Sequence, residues 1–266
     1  MYHTKGASQI AMSNSAINIL ITAGGTSEPI DNVRRIANTG TGRLGSLIAD
    51  EFSANSSVDR IFYVCARDSV RPASEKVTCV EIQSVNDLEA AVTKIAGCCP
   101  IHAIIHSMAV SDFRVRAVST VGDLADFLQR GASPDRPLPD EIERGMDEGD
   151  LRAGAGKLSS QMRSPLILLE PTQKVIPLLR GLTKDAVIVG FKLLNQVSEE
   201  DLLDTAHRLL VKNGCDFVLA NDSAQIEGDR HHGYLLDADK NVRTFETKQE
   251  IARGIVQTVL SEVAKK

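Results

Sequence analysis

Short, continuously apolar runs alternate along this chain with longer stretches of helical periodicity, and that rhythm leaves few folds open. The runs lie at residues 17–22, 60–65, 101–106, 166–169, 186–189 and 216–220. They are short and lack the polar alternation of a half-exposed strand, so they fit parallel strands covered on both faces. Helical patterns lie between them at residues 43–53, 85–95, 173–180 and 199–213, with Pro177 inside the third. The fourth is the best bounded. Ser198 caps it with Asp201 three positions on, Gly214 ends it, and Leu202, Leu203, Ala206, Leu209 and Leu210 form one apolar stripe. The alternation predicts an α/β fold around a mostly parallel sheet. Residues 234–236 and 242–245 flank a turn at 237–241, which predicts a C-terminal β-hairpin before a helix over Lys248–Val263.

One segment breaks the rhythm. Residues 114–156 contain Pro134, Pro137 and Pro139, several glycines and a cluster of acids from Asp140 to Asp150. Only residues 121–128 read as helical there, so an irregular flap inserted into the domain is expected.

Composition narrows the function classes. The 266 residues suffice for a full core, and 42% hydrophobic with 24% charged residues excludes a collagenous or wholly disordered chain. No apolar run approaches the roughly 18 residues of a membrane helix. The net charge of −5 gives no whole-protein attraction to nucleic acid or an anionic membrane. Five cysteines, two of them adjacent and none in a CxxC pair, form neither a disulfide framework nor a zinc pattern. Reduced thiols in a cytoplasmic protein fit better. Residues 1–16 lack the apolar core of a signal peptide and are expected to be a disordered extension, with Met12 an alternative start; residues 17–266 are expected to form a single domain.

Several motifs fall at the predicted strand ends, where open α/β sheets bind ligands. Gly24-Gly25-Thr26 follows the first strand, and glycines there let the backbone turn and present N–H groups to an anion. Gly40, Gly42 and Gly45 spell GxGxxG, with Arg34, Arg35 and Arg43 nearby. The dinucleotide fingerprint needs a strand immediately before it, which is missing here; a phosphate-cradling loop at a helix N-terminus remains. The third strand leads into His106-Ser107-Met108-Ala109-Val110-Ser111-Asp112. Taken singly, His106 reads as a core histidine and Asp112 as a turn residue. Lys157 is the second residue of GKLSS at the end of the flap, Phe191 and Lys192 follow the fifth strand, and Arg208 and Lys212 share one helix face.

The succession TAGGTSEPID, VRRIANTGTGRLG, HSMAVSD, GKLSS, VGFKLL and KNGCDFVLAND resembles the phosphopantothenate–cysteine ligases, also called phosphopantothenoylcysteine synthetases, and is most like their stand-alone bacterial form. The resemblance runs from about Ile17 to Val263. It implies a three-layer Rossmann-like sheet with a ribokinase-like continuation, and a homodimer whose subunits share sites. It also implies the joining of 4′-phosphopantothenate to L-cysteine through an acyl-nucleotide. Bacterial members use CTP and eukaryotic relatives ATP, with Mg²⁺ accompanying the triphosphate and no permanently bound cofactor. Residue by residue, Asn38 matches the asparagine that contacts the acyl-nucleotide, and Lys157 the first lysine of the KIKK flap motif, where it balances phosphate charge. Arg34 and Ala109 fall with Asn38 on the phosphopantothenate side. Gly24, Gly25, Thr26, Gly42, His106, Ser107, Met108 and Asp112 fall on the nucleotide side. Phe191 matches a base-contacting phenylalanine, and Arg208 and Lys212 match triphosphate-contacting cations. Thr172, Gln173 and Lys174 stand where many members have Asn-Pro-Asp.

Three departures bear on nucleotide choice. Ser159 and Ser160 replace later lysines of KIKK, Phe191-Lys192-Leu193-Leu194 replaces Phe-Ala-Ala-Glu, and the Asn-Pro-Asp is gone. Two other readings compete with the ligase: an NAD(P)-dependent reductase, motivated by the GxGxxG glycines, and a non-catalytic nucleotide-binding module, motivated by the altered flap motif.

Overall fold

The computed structural model describes residues 16–131, 137–149 and 158–266. Strand β1 (Ile17–Ala23) leads into a small hairpin, β2 (Ser27–Pro29) and β3 (Arg35–Ala37), and only then into helix α1 (Arg43–Ser53). Next come β4 (Val58–Ala66), β5 (Val77–Ile82), α2 (Val85–Cys98) and β6 (Ala103–His106). An excursion follows: β7 (Phe113–Thr120), α3 (Val121–Gly131), α4 (Leu138–Asp147) and β8 (Pro165–Pro171). The chain returns through α5 (Val175–Leu182), β9 (Val187–Leu194), α6 (Glu199–Asn213) and β10 (Phe217–Asp222). It closes with β11 (Ile226–Glu227), β12 (Arg230–Asp237), β13 (Val242–Thr247) and α7 (Lys248–Val263).

The central sheet runs β11-β12-β10-β9-β6-β1-β4-β5, with β13 added to β12. Every pairing from β5 to β10 is parallel; β12 pairs antiparallel with β10, β11 and β13. Successive residues of a strand point to opposite faces, and both faces are covered. Ile19 and Ile21 pack with Phe52, Ile61, Ile251 and Ile255 under α1 and α7. Leu20 packs on the other face with Leu88, Ile104, Ile188, Leu202 and Leu210 under α2, α5 and α6. That is why these strands read as unbroken apolar runs. Each such side chain contributes roughly 1.5–3 kcal/mol on burial. The result is the expected α/β, three-layer, mostly parallel Rossmann-like fold with a C-terminal hairpin.

Helix α6 has the bounds its sequence signals predicted. Ser198 Oγ accepts from the Asp201 N–H at 3.1 Å, and Gly214 ends the helix at a left-handed φ of 62°. Pro177 stands at the third position of α5, inside the first turn, where its missing N–H removes no helical bond.

Two expectations are corrected. The run at 166–169 does not join the parallel sheet; it lies in β8, which pairs antiparallel with β7 in a separate two-stranded ribbon. Its residues alternate between exposed and half-buried, with Ile167 and Leu169 outward, so its apolar character serves a one-sided ribbon. The described part of the 114–156 segment is not irregular either. It holds most of β7, α3, and α4, whose N-terminus is marked by Pro137 and Pro139 at positions that need no N–H. Asp140 and Glu141 occupy α4's first turn, at its electropositive end. Arg144 bridges to Glu141 and Glu148, and Arg116 pairs with Asp147, so the acids serve local helix pairing. The predicted N-terminal extension, except Ala16, lies outside the described residues.

Candidate functional site

The carboxyl ends of the parallel strands open onto a cleft of about 600 Å³. Its first wall is made of backbone. Gly24 has φ +87°, and a Cβ there would meet Ser69 Oγ at 1.9 Å. A Cβ on Gly25 would lie 2.2 Å from the Asn38 carbonyl oxygen, and one on Gly40 would lie 2.5 Å from that of Gly24. The loop after β1 and the loop before α1 thus stack backbone on backbone, and only glycine permits that approach. Helix α1 starts at Gly42 without a side-chain cap, and Gly42, Arg43 and Gly45 line the cleft. Its N-terminal N–H groups and positive dipole end suit an anion.

Asn38 is clamped between these loops and the segment after β6. Its N–H donates to Thr26 O at 3.1 Å, and its Nδ2 donates to Ala109 O at 3.1 Å. The side chain lines the cleft, with a second amide N–H and its carbonyl oxygen left for a ligand. Ala109 is held in turn by Gly24: its N–H donates to Gly24 O at 2.8 Å. Thr26 and Gly25 lie beneath the wall. Thr26 is buried and its Oγ1 is shared with Ser111, accepting from that residue's N–H at 2.8 Å.

His106, Ser107, Met108, Ala109 and Asp112 all line the cleft. His106 is buried, with Nδ1 2.8 Å from Thr22 Oγ1, and burial pushes its pKa down to about 4, so it is neutral at physiological pH. Ser107 Oγ donates to Thr22 O at 2.8 Å. Asp112 pairs with the Lys174 ammonium. Gln173, Lys174 and Phe191 also face the cleft, whereas Thr172 stands behind it with its N–H on Asp112 O and its hydroxyl on Ser111 O.

Arg34, at the tip of the β2–β3 hairpin, is outside the wall. Its Nη1 donates to Asp31 Oδ2 at 2.8 Å and to Leu158 O at 3.4 Å. Asp31 also accepts from the N–H groups of Val33, Arg34 and Leu158, and these bonds lower its pKa to about 2. Lys157 lies outside the described residues; its neighbour Leu158 is docked on the Asp31–Arg34 turn. Arg208 and Lys212 are exposed on α6 and do not form the wall, to which that helix contributes Leu209.

The second wall is made of side chains: Phe191 and Lys192 from β9, Asn221 from β10, His231 from β12 and Lys248 from the start of α7. His231 and Lys248 were not anticipated. No motif marks them; His231 stands on β12 opposite Ile226 of β11, and the pairing of Arg230 with Thr247 between β12 and β13 sets where α7, and with it Lys248, begins. His231 is buried, its Nε2 lies 2.5 Å from Asn221 Nδ2, and its Nδ1 has no hydrogen-bond partner among the described residues. Burial and the Lys248 charge push its pKa to about 4. Among the described residues the cleft as a whole carries Arg43, Lys174, Lys192 and Lys248 against the single carboxylate of Asp112, a balance that favours an anionic ligand. Among the described residues there is no cluster of three or more His, Cys, Asp or Glu side chains suited to a metal, and no helix is long and apolar enough to cross a membrane.

The sequence and the fold have known counterparts. The chain is 27% identical over 241 residues to the coenzyme A biosynthesis bifunctional protein CoaBC of Thermococcus kodakarensis, covering 89% of this chain and 49% of the relative. The Mycolicibacterium smegmatis CoaBC is 28% identical over 252 residues, 92% of this chain and 53% of the relative. The chain thus spans about half the length of these curated relatives. The crystal structure of the DNA/pantothenate metabolism flavoprotein from Streptococcus pneumoniae superposes with a TM-score of 0.78 at 28% identity, over 92% of this chain and 99% of that one. A Cab2 mutant in complex with phosphopantothenate-cysteine shares the fold, with a TM-score of 0.66 at 19% identity, over 95% of this chain and 88% of that one. Residues 15–121 and 152–263, well over half of the sequence, match one family, and the chain belongs to it: the DNA/pantothenate metabolism flavoprotein C-terminal domain.

Proposed function

We propose that this chain is a phosphopantothenate–cysteine ligase acting in coenzyme A biosynthesis. The observation that carries the reading is the convergence of Asn38, both glycine loops and the 106–112 segment on one positively lined cleft. Family membership and the coenzyme A role in the names of the CoaBC relatives support it.

The chemistry uses that arrangement in two steps. The phosphopantothenate carboxylate attacks the α-phosphorus of CTP or ATP, giving an acyl-nucleotide and expelling pyrophosphate. The cysteine amine then attacks the acyl carbon, forming the amide and releasing the nucleoside monophosphate. The glycine loops and the α1 N-terminus hold phosphate oxygens, and Asn38 donates its free amide N–H to the oxyanion that develops at the acyl carbon. Ala109 fixes the direction of that donor. Lys157 balances phosphate charge from the segment docked at Asp31 and Arg34. Mg²⁺ enters as part of the nucleotide substrate. Among the described residues Asp112 is the one carboxylate of the cleft lining, which suits a metal carried mainly by substrate phosphates. In this reading the chain is a homodimer that shares its sites, Arg34 reaching the phosphopantothenate of the partner.

A pyrophosphate-release assay with CTP and with ATP tests the reading. Pyrophosphate should appear only with phosphopantothenate, and amide product only once cysteine is added. Binding of nucleotide with no substrate-dependent pyrophosphate from either triphosphate would sink it and leave the non-catalytic module. The reductase gains no support, because the GxGxxG loop follows the β2–β3 hairpin rather than a strand of the central sheet.

A further inference from the structure

The second wall contains an amide whose orientation is fixed from behind. Asn221 Nδ2 faces His231 Nε2 at 2.5 Å. An amide N–H only donates, so Nε2 accepts, and the neutral ring carries its proton on Nδ1. That Nδ1 is buried and has no partner among the described residues. The nitrogen of Asn221 is also turned toward β12, since a Cβ built on Gly233 would lie 3.1 Å from Nδ2. Asn221 Oδ1 accepts no hydrogen bond from the described residues and is not fully buried. It is therefore an open acceptor on a residue of the cleft wall. The same wall holds Phe191, whose β9 pairs with β10 so that Phe191 stands beside Leu219, two residues before Asn221.

We propose that His231 is a positioning residue: it locks the Asn221 amide with its oxygen toward the cleft, where that oxygen accepts a hydrogen bond from the exocyclic amino group of the nucleotide base. The inference rests on the ligase reading only in taking the ligand to be a nucleotide. An open acceptor repels phosphate oxygens and takes donors, and a nucleoside triphosphate offers donors on its ribose hydroxyls and on a base amine. The amine is chosen because Phe191 supplies an apolar surface next to Asn221. Cytosine and adenine carry that amine at C4 and C6, where uracil and guanine carry a carbonyl acceptor; the C2 amine of guanine and the ring N–H groups of uracil and guanine lie at other positions of the base edge. The device therefore selects CTP and ATP against UTP and GTP without choosing between the first two. Because His231 stays neutral well below physiological pH, its lone pair remains available to hold the amide.

The test is equilibrium binding of CTP, ATP, UTP, GTP and 2′,3′-dideoxy-CTP to the full chain, with pyrophosphate release measured in parallel. Wild type should bind CTP or ATP at least about tenfold more tightly than UTP and GTP, and tolerate the dideoxy sugar. His231→Leu should reduce that discrimination to within about threefold, leaving the KM for phosphopantothenate unchanged. His231→Gln, whose carbonyl can accept from Asn221, should restore much of it. Equal binding of all four triphosphates by wild type would overturn the inference. So would a His231→Leu variant that keeps full discrimination, or a loss confined to the dideoxy nucleotide, which would assign Asn221 to the ribose. Discrimination in binding with no pyrophosphate release would defeat the ligase reading while leaving this one standing.

Discussion

The two walls of the cleft solve the same problem with different materials. The wall next to β1 and α1 is backbone: Gly25 and Gly40 bring two loops into contact, and Gly24, Gly40, Gly42 and Gly45 line the cleft. The wall next to β9, β10 and β12 is side chain, with Phe191, Asn221 and His231 standing on paired strands. A backbone wall is unforgiving, because one added carbon displaces a whole loop. A side-chain wall is tunable, because each group can be exchanged on a rigid strand. Substitutions in the first should therefore remove activity, and those in the second should alter selectivity.

One way to break the first wall is Gly40→Ala. Its Cβ would sit 2.5 Å from Gly24 O, so one loop must move away from the other. A displacement near 1 Å in a positioning loop lowers rate by roughly 100-fold. We expect at least that loss in kcat/KM for the nucleotide, read by pyrophosphate release, with a far-ultraviolet circular dichroism spectrum like wild type. Near-normal turnover would mean that the loop contact is dispensable. Of comparable size is Asn38→Ala. Removing one oxyanion donor lowers kcat by roughly 100- to 1,000-fold. Here the thermal midpoint should move little, since Asn38 is exposed and its side chain makes one bond, to Ala109. A loss seen only in KM would assign Asn38 to ground-state binding.

The contrast between the walls also explains what the sequence made visible. Glycines that turn or touch backbone announce themselves as letters, so the first wall was readable from GGT and GTGRLG. Helix α6 was readable to the residue because Ser198, Gly214 and the apolar stripe each mark it independently. Phe191 was found through resemblance. His231 and Lys248 were invisible, because their places depend on how β12 pairs with β11 and β13, which no local sequence signal marks. The misreadings have the same root. Four apolar residues at 166–169 look alike whether the strand is covered on both faces or lies in a half-exposed ribbon, and only the partner strand β7 decides. Prolines in the 114–156 segment suggested irregular chain, yet Pro137 and Pro139 mark where α4 begins.

A third, smaller test concerns the turn that joins the first wall to the Leu158 segment. Asp31 takes N–H bonds from Val33, Arg34 and Leu158 in addition to the Arg34 guanidinium. The folded carboxyl therefore titrates at about 2 instead of 3.8. Because the folded value is the lower one, its contribution is complete above the unfolded value and is lost as pH falls through about 2. The docking of Leu158 should thus be insensitive to pH from neutrality down to about 4. Asp31→Asn keeps the shape but removes the charge and one acceptor. It should loosen the Leu158 segment and lower kcat by about tenfold, with no new pH dependence between 5 and 8. Faster hydrogen exchange at the Leu158 amide would report the release directly. Unchanged exchange with lowered kcat would instead point to Arg34 acting on substrate.

The smallest effect is expected outside both walls. Arg208 and Lys212 are exposed on α6, and Arg208 Nη2 already donates to Thr205 Oγ1 at 2.9 Å. From that surface their positive charge reaches a bound triphosphate through water and is screened over about 8 Å at physiological ionic strength. The double substitution Arg208→Ala with Lys212→Ala should raise the nucleotide KM by no more than about threefold, and the difference should vanish in 0.5 M salt. A rise of tenfold or more that persists in salt would mean that these side chains swing in to touch phosphate directly. The second wall would then extend along α6, and the contrast between a backbone wall and a strand-borne wall would need a third, helical member.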